Sequence, residues 1–134
     1  MSRRYHETKD EGEATENLLE DFLVRTHGPV TKTTEKAHFD REAEDCWIEI
    51  KGRSAKYRSD DEYSKKGWFV GLPKVTCAKK ANKKVYFYYY FNGDNTLWRL
   101  EYADSIFDGL IPKPNRQGQL TYTVPKEFWQ RVSL

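Results

Sequence analysis

Apolar side chains recur near the start of the chain at the spacing of an amphipathic helix. They are Ala14, Leu18, Leu19, Phe22 and Leu23. This spacing predicts a helix over residues 12–23, and Gly28 followed by Pro29 is expected to stop it, since proline cannot continue a helix. Residues 1–11 are polar and aperiodic, which is typical of a mobile tail.

A first β-hairpin is predicted where the β-branched stretch 30–39 leads through polar residues into the segment 46–51. The side chains of a strand alternate between its two faces. One face of the second strand therefore carries Cys46, Ile48 and Ile50. The other face carries Trp47, Glu49 and Lys51.

A second hairpin is predicted from the aromatic-rich segment 83–91, the turn residues 92–95 and a partner strand at 96–102. Between the hairpins, Pro73 indicates the first turn of a short helix that runs to residue 81. Aromatic residues alternate onto both faces of the segment 83–91, so we expect that strand to serve as core and as a dimer surface. Stacking of nucleic-acid bases is the alternative use of such a ladder.

The succession of helix, hairpin, helix and hairpin suits a small α/β or α+β sheet with a helix on each side. Of these we expect an α/β fold with a mixed central sheet flanked by helices. A chain of 134 residues suits one domain, which we assign to residues 12–134. No apolar run reaches the roughly eighteen residues of a membrane span, and no export signal is evident. Cys46 and Cys77 are too few for a disulfide framework, so we expect a soluble intracellular protein, in a host cell or virion if viral.

The formal net charge of +2 conceals a strong segregation of charge along the chain. Residues 1–50 carry 13 acidic and 7 basic side chains, whereas residues 51–84 carry 3 acidic and 11 basic ones. An acidic region can hold a hard cation, and a basic stretch can contact the phosphates of a nucleic acid. The alternative is that both regions are solvated surface.

Asp40, Glu49 and Lys51 form the combination of residues that indicates chemistry. Hydrolysis of a phosphodiester needs a cation held by carboxylates, an activated water and a positive group near the phosphate. With a turn centred on residues 43–44, Asp40 lies opposite Trp47 and diagonal to Glu49, on one sheet face. The alternative is a structural ion pair between Glu49 and the neighbouring lysine.

The arrangement Glu16-x-x-Leu19-x-x-x-Leu23, Asp40, Glu49-Ile50-Lys51 resembles the PD-(D/E)XK nuclease superfamily, which includes Holliday junction resolvases, restriction endonucleases and small viral nucleases. The resemblance covers roughly residues 12–91 and implies a restriction-endonuclease-like core. It implies that Glu16, Asp40 and Glu49 bind Mg²⁺ or Mn²⁺, while Lys51 assists the attacking water or the transition state. Phe39 stands where the family often has proline.

The same resemblance gives the basic residues an expected role on DNA. We expect contacts to phosphates from Arg53, Lys56, Arg58, Lys65, Lys66, Lys74, Lys79 and Lys80. The segment from Tyr63 to Lys74 is similar to a version of this region in viral members, which implies that Lys74 faces the site. A solvated helix explains several of these lysines equally well.

The sequence thus predicts a Mg²⁺-dependent endodeoxyribonuclease that is selective for branched or Holliday junction DNA and forms a homodimer. Two other classes stay open. One is a non-catalytic nucleic-acid-binding module with the same fold. The other is a virion-associated interaction protein that uses its aromatic sheet for contacts.

Overall fold

The protein is built on two β-sheets and three helices, in a computed structural model that describes residues 17–34 and 37–134. Helix α1 is described from residue 17 to 27 and is followed by strands β1 (Val30–Lys32), β2 (Arg41–Ala43), β3 (Cys46–Arg53) and β4 (Trp68–Gly71). Next come helix α2 (Leu72–Lys80), strands β5 (Lys84–Phe91) and β6 (Thr96–Glu101), and helix α3 (Asp104–Phe107). The last strands are β7 (Lys113–Pro114), β8 (Leu120–Val124) and β9 (Gln130–Val132). Short 3-10 helices span Glu62–Lys66 and Lys126–Phe128.

The central sheet has six strands in the order β1-β2-β3-β5-β6-β9. Strands β3 and β5 pair in parallel over their whole length, and the other neighbours are antiparallel. A parallel pair needs a long crossover connection, and here β4 and α2 lie within it. The predicted mixed central sheet is therefore confirmed, while the restriction-endonuclease-like core stays a prediction.

Helix α1 covers one face of the central sheet. Its Leu19, Phe22 and Leu23 are buried against Cys46 and Ile48 of β3. The helix continues to residue 27, and Gly28 follows it with a φ of +80° and donates its N–H to the carbonyl of Val24. The predicted stop is confirmed, while the predicted tail at residues 1–11 and the start of the helix lie outside the described residues.

The other face of the sheet packs against α2 and against a three-stranded antiparallel sheet with the order β4-β8-β7. The predicted helix after Pro73 is confirmed, with Val75 and Ala78 buried beneath it. The second sheet was not predicted, because it pairs Trp68 with Val124, 56 positions later in the chain, and the sequence pattern does not show such a distant pairing. No helix in residues 17–34 and 37–134 is long and apolar enough to cross a membrane.

The predicted first hairpin was wrong in its pairing. β1 pairs with β2 instead of with β3, and β2 in turn pairs with β3. A strand therefore lies within residues 40–45, which were predicted to be a polar turn. The reason is that Arg41 is buried in the sheet, where its guanidinium bonds the Glu20 carboxylate at 3.1 Å. Because a buried side chain of this strand is charged, the strand does not show in the pattern of hydrophobic residues.

The aromatic ladder of β5 is core on both faces. Phe87, Tyr88, Tyr89, Tyr90 and Phe91 are each at most 5% exposed. The prediction of a strand covered on both sides is confirmed. These buried rings cannot stack with bases. They also give no support to the expected homodimer, which was inferred partly from the resemblance and partly from exposed aromatics.

Candidate metal centre

Asp40 and Glu49 meet where β2 begins beside the middle of β3. The pairing of Arg41 with Ile48 and of Glu42 with Trp47 continues in register to place Asp40 across from Glu49. The turn is thus centred between residues 44 and 45, not on 43–44 as predicted. This correction changes the partner of Asp40 but keeps both carboxylates on the same face, because side chains directly opposite each other share a face.

Backbone N–H groups hold both carboxylates in place. The N–H of Ile50 donates to Oδ2 of Asp40 at 3.0 Å, and the N–H of Asp40 donates to Oε1 of Glu49 at 3.2 Å. These bonds join the two strands through their side chains, so the carboxyl groups lie on rigid backbone. The Asp40 side chain is close enough to Glu49 to raise the pKa of Glu49.

The pKa of Glu49 is shifted by its surroundings. Burial raises its pKa to about 7, and the negative charge of Asp40 adds to the rise. Lys74 opposes this rise, since its ammonium lies 3.1 Å from Oε2 of Glu49. The Glu49 side chain is only 22% exposed, which explains why the desolvation effect outweighs the ion pair.

Lys51 lies on the same face of β3 as Glu49, two residues further along the strand. Its pKa is lowered by partial loss of hydration and by the nearby Arg53, while Glu49 acts in the opposite direction. The ion pair of Glu49 is formed with Lys74 rather than with Lys51. Glu49 therefore does form an ion pair, but its partner is Lys74 and not the neighbouring Lys51 that was expected.

Glu16 lies outside the described residues, so its predicted place among the metal ligands has no structural description. The described part of α1 packs on the face of the sheet opposite to Glu49, and its Glu20 bonds Arg41. Among residues 17–34 and 37–134, no group of three or more Asp, Glu, His or Cys side chains is arranged to hold a metal ion. The described donor set is the pair formed by Asp40 and Glu49.

This pair fits a hard divalent cation by the chemistry of its donors. Mg²⁺ and Mn²⁺ favour carboxylate oxygen, and Mg²⁺ is commonly held by one or two carboxylates while water and substrate phosphate complete its shell. Asp40 and Glu49 supply two carboxylates whose positions are set by backbone hydrogen bonds. The residues that would hold the ion are therefore present as a pair.

Cationic side chains surround the carboxylate pair on the same face. The ammonium of Lys74 bonds Glu49 and the backbone carbonyl of His38, and it lies 5.9 Å from the centre of the Phe39 ring. The guanidinium of Arg53 lies 4.4 Å from the centre of the Tyr57 ring. Together with Lys51, these groups give the face a positive border.

Several of the other predicted phosphate contacts have acidic partners. Arg58 bonds Asp60 at 2.8 Å and the carbonyl of Gly93 at 3.2 Å. The remaining positions are Lys56 near the Tyr57 ring, Lys65 paired with Glu62, exposed Lys66, Lys79 paired with Asp108 at 3.7 Å, and exposed Lys80 at the end of α2. An acidic neighbour reduces what such a side chain can offer to a phosphate.

Sequence reasoning missed a titratable cluster on the opposite face of the sheet. Nε2 of His27 lies 2.6 Å from the hydroxyl of Tyr88, and Nδ1 lies 3.6 Å from the sulfur of Cys46. Burial and the charge of Arg99 lower the pKa of His27, while burial raises the pKa of Cys46. A buried thiol with a raised pKa is not an activated nucleophile, so this cluster is structural.

The chain matches no protein-family model, no curated protein and no solved structure. The functional assignment therefore depends on the chemistry of the site itself.

Proposed function

We propose that this protein is a divalent-metal-dependent endodeoxyribonuclease whose centre is formed by Asp40, Glu49 and Lys51. The observation that carries the proposal is the pair of carboxylates held side by side by backbone N–H groups, with a lysine on the same strand face. Two neighbouring acids in a half-buried position repel each other, and a bound cation relieves that repulsion.

Each residue has a role that follows from its position. A bound divalent ion would supply charge neutralisation and an acidified water. Asp40 and Glu49 would hold that ion through carboxylate oxygens whose positions are set by the β2–β3 pairing. Lys51 places positive charge beside the phosphate or the attacking water, and Arg53 can grip a phosphate with its forked guanidinium.

Glu16 is proposed as a third ligand on the resemblance alone. Branched or Holliday junction DNA is the proposed substrate, because the resembled superfamily includes the Holliday junction resolvases. A homodimer would allow two paired cuts, and it is proposed together with that substrate.

The test is cleavage of a four-way junction, a linear duplex and single-stranded DNA in Mg²⁺ or Mn²⁺. We expect Asp40→Asn and Lys51→Ala each to lower the cleavage rate by on the order of a hundredfold or more, as is typical for groups at the reacting centre. Lys84→Ala is the matched control, because Lys84 lies at the start of β5, pairs with Glu101 and belongs to the opposite face. Cleavage that survives Lys51→Ala unchanged would show that a contaminant is responsible.

A non-catalytic nucleic-acid-binding module is the second candidate, and the Lys74–Glu49 ion pair favours it. That pair places a cation from the protein itself at the carboxylates, which can leave a fold with a basic surface and no need of metal. DNA binding that persists in a chelator, with no product formed in either metal, would support this second function and contradict the first.

A further inference from the structure

Lys74 places its ammonium directly beside the Glu49 carboxylate. Its ammonium lies 3.1 Å from Oε2 of Glu49 and also bonds the carbonyl of His38. The other oxygen of Glu49 already accepts the N–H of Asp40. The ammonium therefore neutralises the one Glu49 oxygen that this backbone bond leaves available.

The location of Lys74 in α2 is electrostatically unfavourable for the helix. It belongs to the first turn, just after Pro73, where the positive end of the helix dipole disfavours a cation. Glu49 and the His38 carbonyl compensate for that cost, and the Lys74 side chain stays 35% exposed. A half-buried ammonium at the end of a long side chain can leave such a position without disturbing the buried Val75 at the next position of α2.

A divalent ion and the Lys74 ammonium cannot both occupy this position. Metal–oxygen bonds are about 2.0–2.6 Å long, so an ion bound to Oε2 would lie within a few ångströms of an ammonium at hydrogen-bond distance. At that separation two positive charges repel strongly in a half-buried site. One of them must leave.

We propose that Lys74 is an internal counter-cation of the Asp40–Glu49 pair, which a divalent metal must displace before both carboxylates can bind it. The proposal rests on the metal centre proposed above. Lys74 then lowers the affinity of the free protein for metal, and displacement releases a positive charge at the border of the site. The released ammonium is free to bind a phosphate of the substrate.

The first test is Mn²⁺ affinity without nucleic acid, measured by electron paramagnetic resonance. Lys74→Met keeps an apolar stem over the Phe39 ring but removes the charge. We expect it to tighten Mn²⁺ binding on the order of tenfold, within the usual range of coupling between sites. Lys80→Met, which removes the same charge from the exposed end of the same helix, is expected to change the affinity less than about twofold.

The outcomes separate this inference from the proposed function. If wild type binds Mn²⁺ and Lys74→Met binds it no more tightly than Lys80→Met, the role proposed for Lys74 is wrong. The proposed metal centre is not contradicted by that result. If no variant binds Mn²⁺, the proposed metal centre is wrong and the counter-cation is overturned with it. Adding Asp40→Asn to Lys74→Met is expected to abolish the gain, which assigns the binding to this pair.

A second test uses the wild-type protein, so it does not depend on whether a variant folds. Lysines are acetylated with an amine-reactive reagent, and the modified peptides are quantified by mass spectrometry with and without saturating Mn²⁺. We expect Mn²⁺ to increase the modification of Lys74 several-fold and to leave that of Lys80 unchanged. Equal modification of Lys74 in both conditions would overturn the proposal.

Discussion

The site depends on individual side chains whose charge is set by their surroundings. Glu49 has a pKa of about 7 because burial and Asp40 together outweigh the Lys74 ion pair. On the opposite face, burial and the positive charge of Arg99 lower the pKa of His27, whose ring contacts Tyr88 and Cys46. The two faces therefore respond to acid in opposite directions.

His27 makes a prediction about stability and pH. Its pKa in the folded protein is lower than the value of about 6.5 in the unfolded chain, so between these values the unfolded chain binds more protons. The contribution of His27 to stability is therefore fully present above pH 6.5 and is lost as the pH falls. We expect His27→Gln to lose less stability than wild type between pH 7 and pH 5, measured by urea unfolding.

His38→Gln is the control for this measurement, since the His38 side chain is exposed. It is expected to keep the acid sensitivity of wild type. If His27→Gln and wild type lose the same stability over that pH interval, the neutral state of His27 does not contribute to stability.

The placement of Asp40, Glu49 and Lys51 on one face could be predicted because it depends only on the alternation of side chains along paired strands. The contact between His27 and Tyr88 could not, since these residues are 61 positions apart in the chain. The ion pair between Lys74 and Glu49 could be predicted only in part. The resemblance indicated that Lys74 faces the site, but its partner depends on how α2 packs against the sheet.

Among the secondary structure elements, the long strands were the most predictable and the short ones the least. β5 and β6 show in the sequence as aromatic alternation around a tight turn, and both were predicted to within one residue at each end. β2 was missed because three residues give no periodicity and its Arg41 is charged. The position of Asp40 relative to Glu49 depends on that short strand, which explains the error in the turn.

Gly67 makes a prediction about how β4 meets β8. Its φ is +108°, and a Cβ at this position would lie 1.9 Å from the carbonyl oxygen of Val124. We therefore expect Gly67→Ala to destabilise the protein by about 3 kcal/mol or more, because backbone atoms cannot move aside cheaply. Chemical denaturation followed by tryptophan fluorescence measures this loss.

Gly52→Ala is the matched control, since an added Cβ there would meet nothing within 4 Å. It is expected to change stability by less than about 1 kcal/mol. A similar loss in both variants would contradict the role assigned to the close approach at Gly67.

Across the whole molecule, the central sheet separates two surfaces of different chemistry. Arg53 lies on the face that carries the carboxylate pair, and Lys84 is a cation of the opposite face. If DNA binds across the first face, Arg53 contributes a phosphate contact and Lys84 does not. The charge segregation along the sequence could not show this difference, because both residues belong to the same basic stretch.

The corresponding prediction concerns the salt dependence of DNA binding. Arg53→Gln is expected to weaken binding and to reduce the slope of log affinity against log salt concentration by about one, as loss of one phosphate contact does. Lys84→Gln is expected to leave the slope unchanged. Fluorescence anisotropy at several salt concentrations measures both, and an equal effect of the two variants would contradict the assigned binding face.

The parallel pairing of β3 with β5 also predicts the order in which the strands of the central sheet come together during folding. Cys46 pairs with Lys84, so the two central strands meet only after a loop of 38 residues has closed. The β2–β3 hairpin is local and forms without waiting for that closure. We therefore expect the acidic pair to assemble early and to become enclosed late, when β5 and its aromatic side chains pair with β3.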